Sequence, residues 1–330
     1  MNIVFMGTPE FAVPCLERLI NDKHNITAVF TQPDKPKGRG NILAASPVKI
    51  KAIEYKINVI QPTTLRSNET AQVINKLSPE LIAVVAYGKI LPAEIISIPK
   101  YGCINIHASL LPKYRGAAPI QWSVINGETE TGVTSMLMDE GLDTGDILLT
   151  EKTSIGANET SGDLFQRLSQ IGANVLSDTV LKIKQGTITP RKQNGNESNY
   201  APMLTKALCP INWSEPAINV HNLIRGLNPF LSATTMLNKN IIKIHSSLLY
   251  ENCYGKPGEI IENSDRLVVA CGDGKSIEIL TLQAEGKRTL TANEFMRGHR
   301  IEKGTFFESF KVNQYISNKL LKTIFLSKEV

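Results

Sequence analysis

Little in this 330-residue chain could hold a metal ion or a disulfide framework. Its five cysteines (Cys15, Cys103, Cys209, Cys253 and Cys271) are scattered, with no Cys-x-x-Cys pair, and no two histidines stand at ligand spacing. Lone thiols in such a pattern point to a reducing compartment and away from zinc. No apolar run approaches the ~20 residues of a membrane helix, so no membrane span is expected. The opening MNIVFMGTPEFA starts on a strand-like run without a basic leader or cleavage site, and no signal peptide is expected. The first strand ends in Gly7-Thr8-Pro9 rather than Gly-x-Gly-x-x-Gly, and the Gly-x-x-x-x-Gly-Lys phosphate loop is missing. Both absences disfavour a dinucleotide enzyme or an NTPase. Ser109 lacks the Gly-x-Ser-x-Gly elbow of a nucleophilic serine.

What is present is ordinary in bulk and specific in detail. Hydrophobic residues make up 42% and charged residues 20%, a globular composition that excludes disorder. The length exceeds what one core usually serves, so two domains are expected. Net charge is +5, with 16 Lys/Arg against 12 Asp/Glu from Lys206 onward. That mild basic bias permits a polyanionic partner without requiring one.

The first two hundred residues alternate strand-like and helix-like segments. Ile3–Met6, Ile26–Phe30, Asn58–Ile60, LIAVVA at 81–86 and Cys103–His107 read as strands, the fourth apolar on both faces like a central parallel strand. Thr8 with Pro9, Ser46 with Pro47, and Thr160 with Asp163 offer helix starts, and Gly186 a stop. The rhythm predicts a Rossmann-like α/β domain with a mostly parallel sheet over 1–187. A polar, aperiodic stretch at 188–206 reads as a linker. Short strands at Ala233–Leu237, Ile241–Leu248, Glu259–Ile261, Leu267–Cys271 and Ile277–Leu282 follow, separated by turn residues. They predict a small OB-like β-barrel over 207–307, leaving 308–330 as a basic tail of unknown role.

In INIHASLLPKYRG, Asn105 and His107 stand two residues apart, so a strand would place them on one face, at its end. Such a pair is either a satisfied polar edge or two donors aimed at a reacting oxygen. Lys113 and Arg115 follow in the same stretch. A loop with Asp139, Asp143 and Asp146 comes after Val133–Leu137 and is, on pattern alone, simply a turn.

Asn105-x-His107, SLLP at 109–112, RGAAPI at 115–120 and GLDTG at 141–145 together resemble the folate-dependent formyltransferases. MGTPEFA, TQPDKPKGRG at 31–40, SPVK at 46–49, VVAYGKILP at 84–92, GAAPIQW at 116–122, NWSEPA, IRGLNPF and LQAEGKR are similar, in order, to the members acting on methionyl-tRNA. The resemblance covers roughly residues 1–305. Lys113, where the family often has Arg, and Phe230, where it often has Trp, both keep the chemical type.

The resemblance implies transfer of the formyl group of 10-formyltetrahydrofolate to the methionine amine of initiator methionyl-tRNA, without a metal. It implies a catalytic set of Asn105, His107 and Asp143. It implies a folate site of Ser109, Leu110, Leu111 and Pro112, lined by Tyr87, Gly88, Ile90 and Leu91. Arg39, with Lys35 and Lys37, would meet the tRNA acceptor end from a loop that prolines and glycines keep irregular. Arg225, Lys287 and Arg288 would touch the tRNA body. A cytoplasmic monomer is expected by family analogy. Competing readings are a formyltransferase for a small amine such as a nucleotide sugar, a non-catalytic RNA-binding protein, and a formyltetrahydrofolate hydrolase.

Overall fold

The computed structural model describes residues 1–37, 42–251, 254–299 and 301–310. The side chains of Lys37 and Ile42, the residues 38–41 with Arg39, and the tail 311–330 lie outside what is described. The chain forms two compact units: 1–120, 130–154 and 164–202 in the first, and 121–129, 155–163 and 203–330 in the second.

The first unit opens with β1 (Asn2–Gly7), α1 (Val13–Asn21), β2 (Asn25–Phe30), β3 (Lys35–Lys37) and β4 (Ile42–Ala44). It continues through α2 (Pro47–Glu54), β5 (Val59–Ile60), α3 (Asn68–Lys76), β6 (Leu81–Val85), α4 (Ala93–Ile96), β7 (Cys103–His107) and β8 (Arg115–Gly116). Helix α5 (Pro119–Ile125) belongs mostly to the second unit; β9 (Glu130–Leu137), β10 (Ile147–Ser154), most of α6 (Ser161–Gln185) and β11 (Tyr200–Ala201) complete the first. Seven strands form one sheet in the order β10-β9-β7-β6-β1-β2-β5. The five from β5 to β7 are parallel, and β9 and β10 add an antiparallel edge. Every side chain of β6 is buried, as a doubly covered parallel strand requires. Ile3, Val4, Phe5 and Met6 of β1 are fully buried as well. Burial of that kind stabilises by about 1.5–3 kcal/mol per large side chain.

Local start signals behave unevenly. Ser46 caps α2 by accepting from the Lys49 N–H at 3.1 Å, with Pro47 at the first turn. Thr160 and Asp163 exchange side-chain and backbone bonds at the start of α6, and Gly186 ends it at a φ of +68°. Thr8 does not cap a helix. Its hydroxyl donates to the Tyr87 carbonyl at 3.1 Å and accepts from the Gln32 N–H at 3.4 Å, tying three strand ends together. The loop after β2 is likewise not wholly irregular, because Lys35–Lys37 pairs antiparallel with Ile42–Ala44. A two-stranded ribbon has open edges on both sides, where a proline such as Pro36 costs no ladder bond.

The second unit contains α7 (Ala217–Leu227), β12 (Ala233–Leu237), β13 (Asn240–Tyr250), β14 (Ile260–Glu262), β15 (Leu267–Ala270), β16 (Ser276–Ala284), β17 (Leu290–Thr291) and α8 (Ala292–Gly298). Its strands run β12-β13-β16-β15-β14, with β17 beside β16. Residues 305–308 close the gap between the ends of this path. Ile260 N–H donates to Thr305 O (2.8 Å) and Phe307 N–H to Gly258 O (2.8 Å) on one side; Met236 and Glu308 exchange bonds of 3.1 and 2.9 Å on the other. The barrel therefore extends past 307, and Ser309 Oγ accepts from the Trp213 N–H at 3.1 Å. Inside it, Trp213 stacks on Phe307 and donates to Thr235 Oγ1 at 2.9 Å. No side chain of its own caps α7; the Asp273 carboxylate accepts from the Ala217 N–H at 3.1 Å instead. A Thr291/Glu294 capping box starts α8.

Candidate active site

The parallel strands β6 and β7 lie side by side, so the segments after Val85 and His107 emerge at the same edge of the sheet. That carboxyl edge is where open α/β sheets bind ligands. Asn105 and His107 stand on one face of β7, Asn105 half-buried and His107 buried. His107 Nε2 lies 2.8 Å from the Tyr114 carbonyl, an acceptor only, so this nitrogen carries the hydrogen. The ring's other nitrogen, Nδ1, faces the Asp143 carboxylate at 3.7 Å, an ion-pair rather than a hydrogen-bond distance.

Asp143 reaches this face by an indirect route. β9 runs antiparallel to β7, with Leu137 opposite Ile104, so the loop 138–146 begins beside the start of β7. It returns to bring Asp143 Oδ1 to 3.4 Å from Asn105 Nδ2, while Oδ2 accepts from the Gly116 N–H at 2.8 Å. Asp143 has a φ of +54°, a left-handed conformation that costs a non-glycine residue energy. Ala86 and Tyr114, at the ends of the neighbouring segments, share that conformation. The other aspartates differ in role. Asp139 Oδ1 takes the Gly141 N–H (3.0 Å) and the Thr144 hydroxyl (2.7 Å), which makes it a turn residue.

The segment after β7 is held from within. Ser109 is fully buried and its hydroxyl donates to Lys113 O at 2.6 Å. Buried Thr134 donates to Ser109 O at 2.7 Å and accepts from the Leu111 N–H at 3.2 Å. Leu111 packs with Met136 and Ile147, which leaves half-buried Leu110 and Pro112 as the apolar surface of this turn. After β6, Leu91 is core and Ile90 is 73% exposed. Tyr87 is buried, with a hydroxyl that has no hydrogen-bond partner among the described residues and is pushed up to about 12 by burial. Gly88, at a φ of +78°, leaves room for the Gln32 amide, which donates to the carbonyls of Tyr87 (3.0 Å) and Gly88 (3.1 Å).

The cations expected to meet nucleic acid divide. Exposed Lys35, in β3, donates to Gln32 Oε1 at 2.7 Å. Lys287 and Arg288 are exposed on the barrel. Arg225 is not available: it is 6% exposed and donates to Asn222 Oδ1 (2.9 Å) and to the carbonyls of Gly156 (3.2 Å) and Glu159 (3.0 Å). Burial lowers its affinity for its proton, and its charge is spent on backbone oxygens within the second unit.

Several residues at the site carry no signal in the sequence. Gln193 sits in an unremarkable polar stretch, Thr134 in an apolar strand and Gln32 in a motif read for its charges, and only the tertiary fold turns their side chains toward these loops. Gln193, in the stretch read as a linker, donates to Asp143 O at 2.9 Å.

The family model described as "Formyl transferase" matches residues 1–180, and "Formyl transferase, C-terminal domain" matches 203–300. The methionyl-tRNA formyltransferase of Caldanaerobacter subterraneus subsp. tengcongensis is 47% identical over 93% of this chain and 100% of its own length. That of Alkaliphilus oremlandii is 50% identical over 92% and 98%. The chain belongs to the methionyl-tRNA formyltransferase family. Solved structures share the fold at lower identity. WlaRD, a sugar 3N-formyl transferase solved with dTDP and 5-N-formyl-THF, superposes with a TM-score of 0.65 at 22% identity, covering 87% of this chain and 99% of that one. The N-formyltransferase of Helicobacter canadensis, in complex with folinic acid and dTDP-3-aminofucose, gives 0.65 at 24% over 86% and 98%. Among the described residues no helix is long and apolar enough to cross a membrane, and no cluster of His, Cys, Asp and Glu could hold a metal ion.

Proposed function

We propose that this chain transfers the formyl group of 10-formyltetrahydrofolate to the amino group of methionine on initiator tRNA, giving N-formylmethionyl-tRNA. The observation that carries the reading is the convergence of Asn105, His107 and Asp143 on one face, in a chain related over more than nine-tenths of its length to methionyl-tRNA formyltransferases. The folate co-substrate supplies the formyl group. In this reading Leu110, Pro112, Tyr87, Gly88 and Ile90 border its ring, with Ser109, Leu111 and Leu91 supporting them from the core.

A bond forms between the methionine nitrogen and the formyl carbon, the bond to the donor nitrogen breaks, and one proton passes from the amine to that nitrogen. Negative charge grows on the formyl oxygen between these events. Asn105 donates an amide hydrogen to that oxygen. His107 offers Nδ1–H to the same region, since Nε2 is committed to Tyr114 O. Asp143 balances the imidazolium and relays the amine proton. Lys35, Lys37 and Arg39 guide the acceptor end, and Lys287 and Arg288 touch phosphates. The domain reading is 1–187 for catalysis, 188–206 joining, and 207–307, with the barrel-closing residues 308–309, for tRNA. Family resemblance supports a cytoplasmic enzyme acting as a monomer.

The test is direct. Purified protein is given 10-formyltetrahydrofolate with methionyl initiator tRNA, with an amino sugar nucleotide, or with neither. Formylmethionine on tRNA is the expected product. Faster formylation of the sugar amine, or release of formate in all three mixtures, would overturn the reading.

A further inference from the structure

We infer that Gln193, locked by Arg115, is a positioning residue for Asp143; the inference rests on the catalytic reading of Asp143 given above. One amide nitrogen, Gln193 Nε2, donates to both Asp143 O (2.9 Å) and Gly145 O (2.7 Å). It thus grips the backbone on either side of Thr144, in the stretch that carries Asp143 in its left-handed conformation. The orientation of that amide is fixed from the other end. Arg115 Nε and Nη2 both donate to Gln193 Oε1, at 3.1 and 2.7 Å, and a guanidinium cannot face the amide nitrogen instead.

The arrangement closes a ring around the carboxylate. Arg115 belongs to β8, and the next residue, Gly116, donates its N–H to Asp143 Oδ2 at 2.8 Å. β8 pairs in turn with β11 (Tyr200↔Arg115, Ala201↔Gly116), and Arg191 bridges Ile147, so the segment carrying Gln193 is anchored at both ends. One strand therefore sets the side chain of Asp143 through Gly116 and its backbone through Arg115 and Gln193. Of the two cations in INIHASLLPKYRG, Arg115 thus serves the loop rather than an outside anion. An error of about 1 Å in placing a catalytic group can cost on the order of 100-fold in rate, so such a clamp has leverage on catalysis.

The test uses Gln193→Ala and Gln193→Glu in the full chain. Gln193→Glu keeps the bond from Arg115 but sets an oxygen against two carbonyl oxygens, so it isolates the donor function. Expected is a fall in kcat of roughly 10- to 100-fold for Gln193→Ala, at least as large for Gln193→Glu, with KM for both substrates within about twofold. Circular dichroism checks that each variant is folded. In an Asp143→Ala background, Gln193→Ala should add no further loss, since there is no carboxylate left to position. Wild-type kcat in both Gln193 variants, or an equal loss with and without Asp143, would overturn the inference. Amide exchange over 139–146 is followed in parallel, and should quicken in Gln193→Ala; unchanged exchange would overturn the clamp even if the wild-type chain failed to formylate tRNA, an outcome that would sink the functional reading separately.

Discussion

His107 Nδ1 and the Asp143 carboxylate stand 3.7 Å apart, with the opposite ring nitrogen bonded to the Tyr114 carbonyl at 2.8 Å. The ring is thereby fixed in orientation by a backbone group, while its other nitrogen faces a side chain that arrives on a returning loop. Asp143→Asn preserves shape and keeps an acceptor for the Gly116 N–H, but removes the charge. Its kcat should fall about 10²-fold or more, the usual span for a proton-relay group, with little change in melting temperature. Steady-state formylation beside a thermal melt checks both halves.

The loop that carries Asp143 closes too tightly for a side chain at one glycine. A Cβ on Gly145 would lie 1.7 Å from the Leu137 carbonyl oxygen, which is backbone and cannot move aside. At Gly141 the nearest obstacle, 2.0 Å away, is the Thr144 hydroxyl, a side chain that can rotate. Gly145→Ala should therefore lose most formylation activity, and Gly141→Ala considerably less. Comparing kcat of the two, with folded fractions measured by circular dichroism, tests the difference.

Arg225 and the pair Lys287/Arg288 should separate stability from tRNA affinity. Arg225→Ala strands two carbonyls and an amide in the second unit, and should destabilise by about 2–3 kcal/mol without changing the salt dependence of tRNA binding. Lys287→Ala with Arg288→Ala should leave the melting temperature alone. The slope of log affinity against log salt should then fall by about 1 for each phosphate that is no longer neutralised. Urea melts and filter binding at several salt concentrations read the two quantities.

At the base of the basic ribbon, Lys49 Nζ sits 2.6 Å from Asp34 Oδ2, and Gln61 Nε2 donates to Oδ1 at 2.8 Å. The Lys49 bond first, and the Gln61 bond second, hold this carboxyl below its ordinary 3.8. A lowered folded-state value means the contribution is complete above 3.8 and vanishes as pH falls through the lowered value. Asp34→Asn should therefore melt less steeply with acid than the wild type between about pH 5 and pH 2. Melting temperatures across that range check the sign.

Much of the scaffold is written in local pattern. Ala233–Leu237 is a strand with the bounds its apolar run predicts, and LIAVVA is the central strand its double-sided apolarity demands. Asn105 and His107 share a face because side chains in a strand alternate. Other features depend on distant partners. ILLTEKTS at 147–154 is a strand whose second half is mostly exposed, so no periodicity marks it. Thr8 has the look of a cap, but Tyr87 and Gln32 compete successfully for its hydroxyl. Asp143 is one of three aspartates in a turn-like loop, and only the antiparallel course of β9 with the Gln193 bonds distinguishes it. Arg225 reads as a surface cation in the sequence because its burial partners, Gly156 and Glu159, lie more than sixty residues away.

The most direct test of the site is single-turnover formyl transfer to methionyl initiator tRNA by Asn105→Ala. Loss of one oxyanion donor typically raises the barrier by about 2.7–4 kcal/mol, or 10²- to 10³-fold in rate. Expected is that loss in a folded protein whose tRNA affinity matches the wild type. Transfer at the wild-type rate would contradict the assignment of Asn105, and with it the oxyanion site on β7.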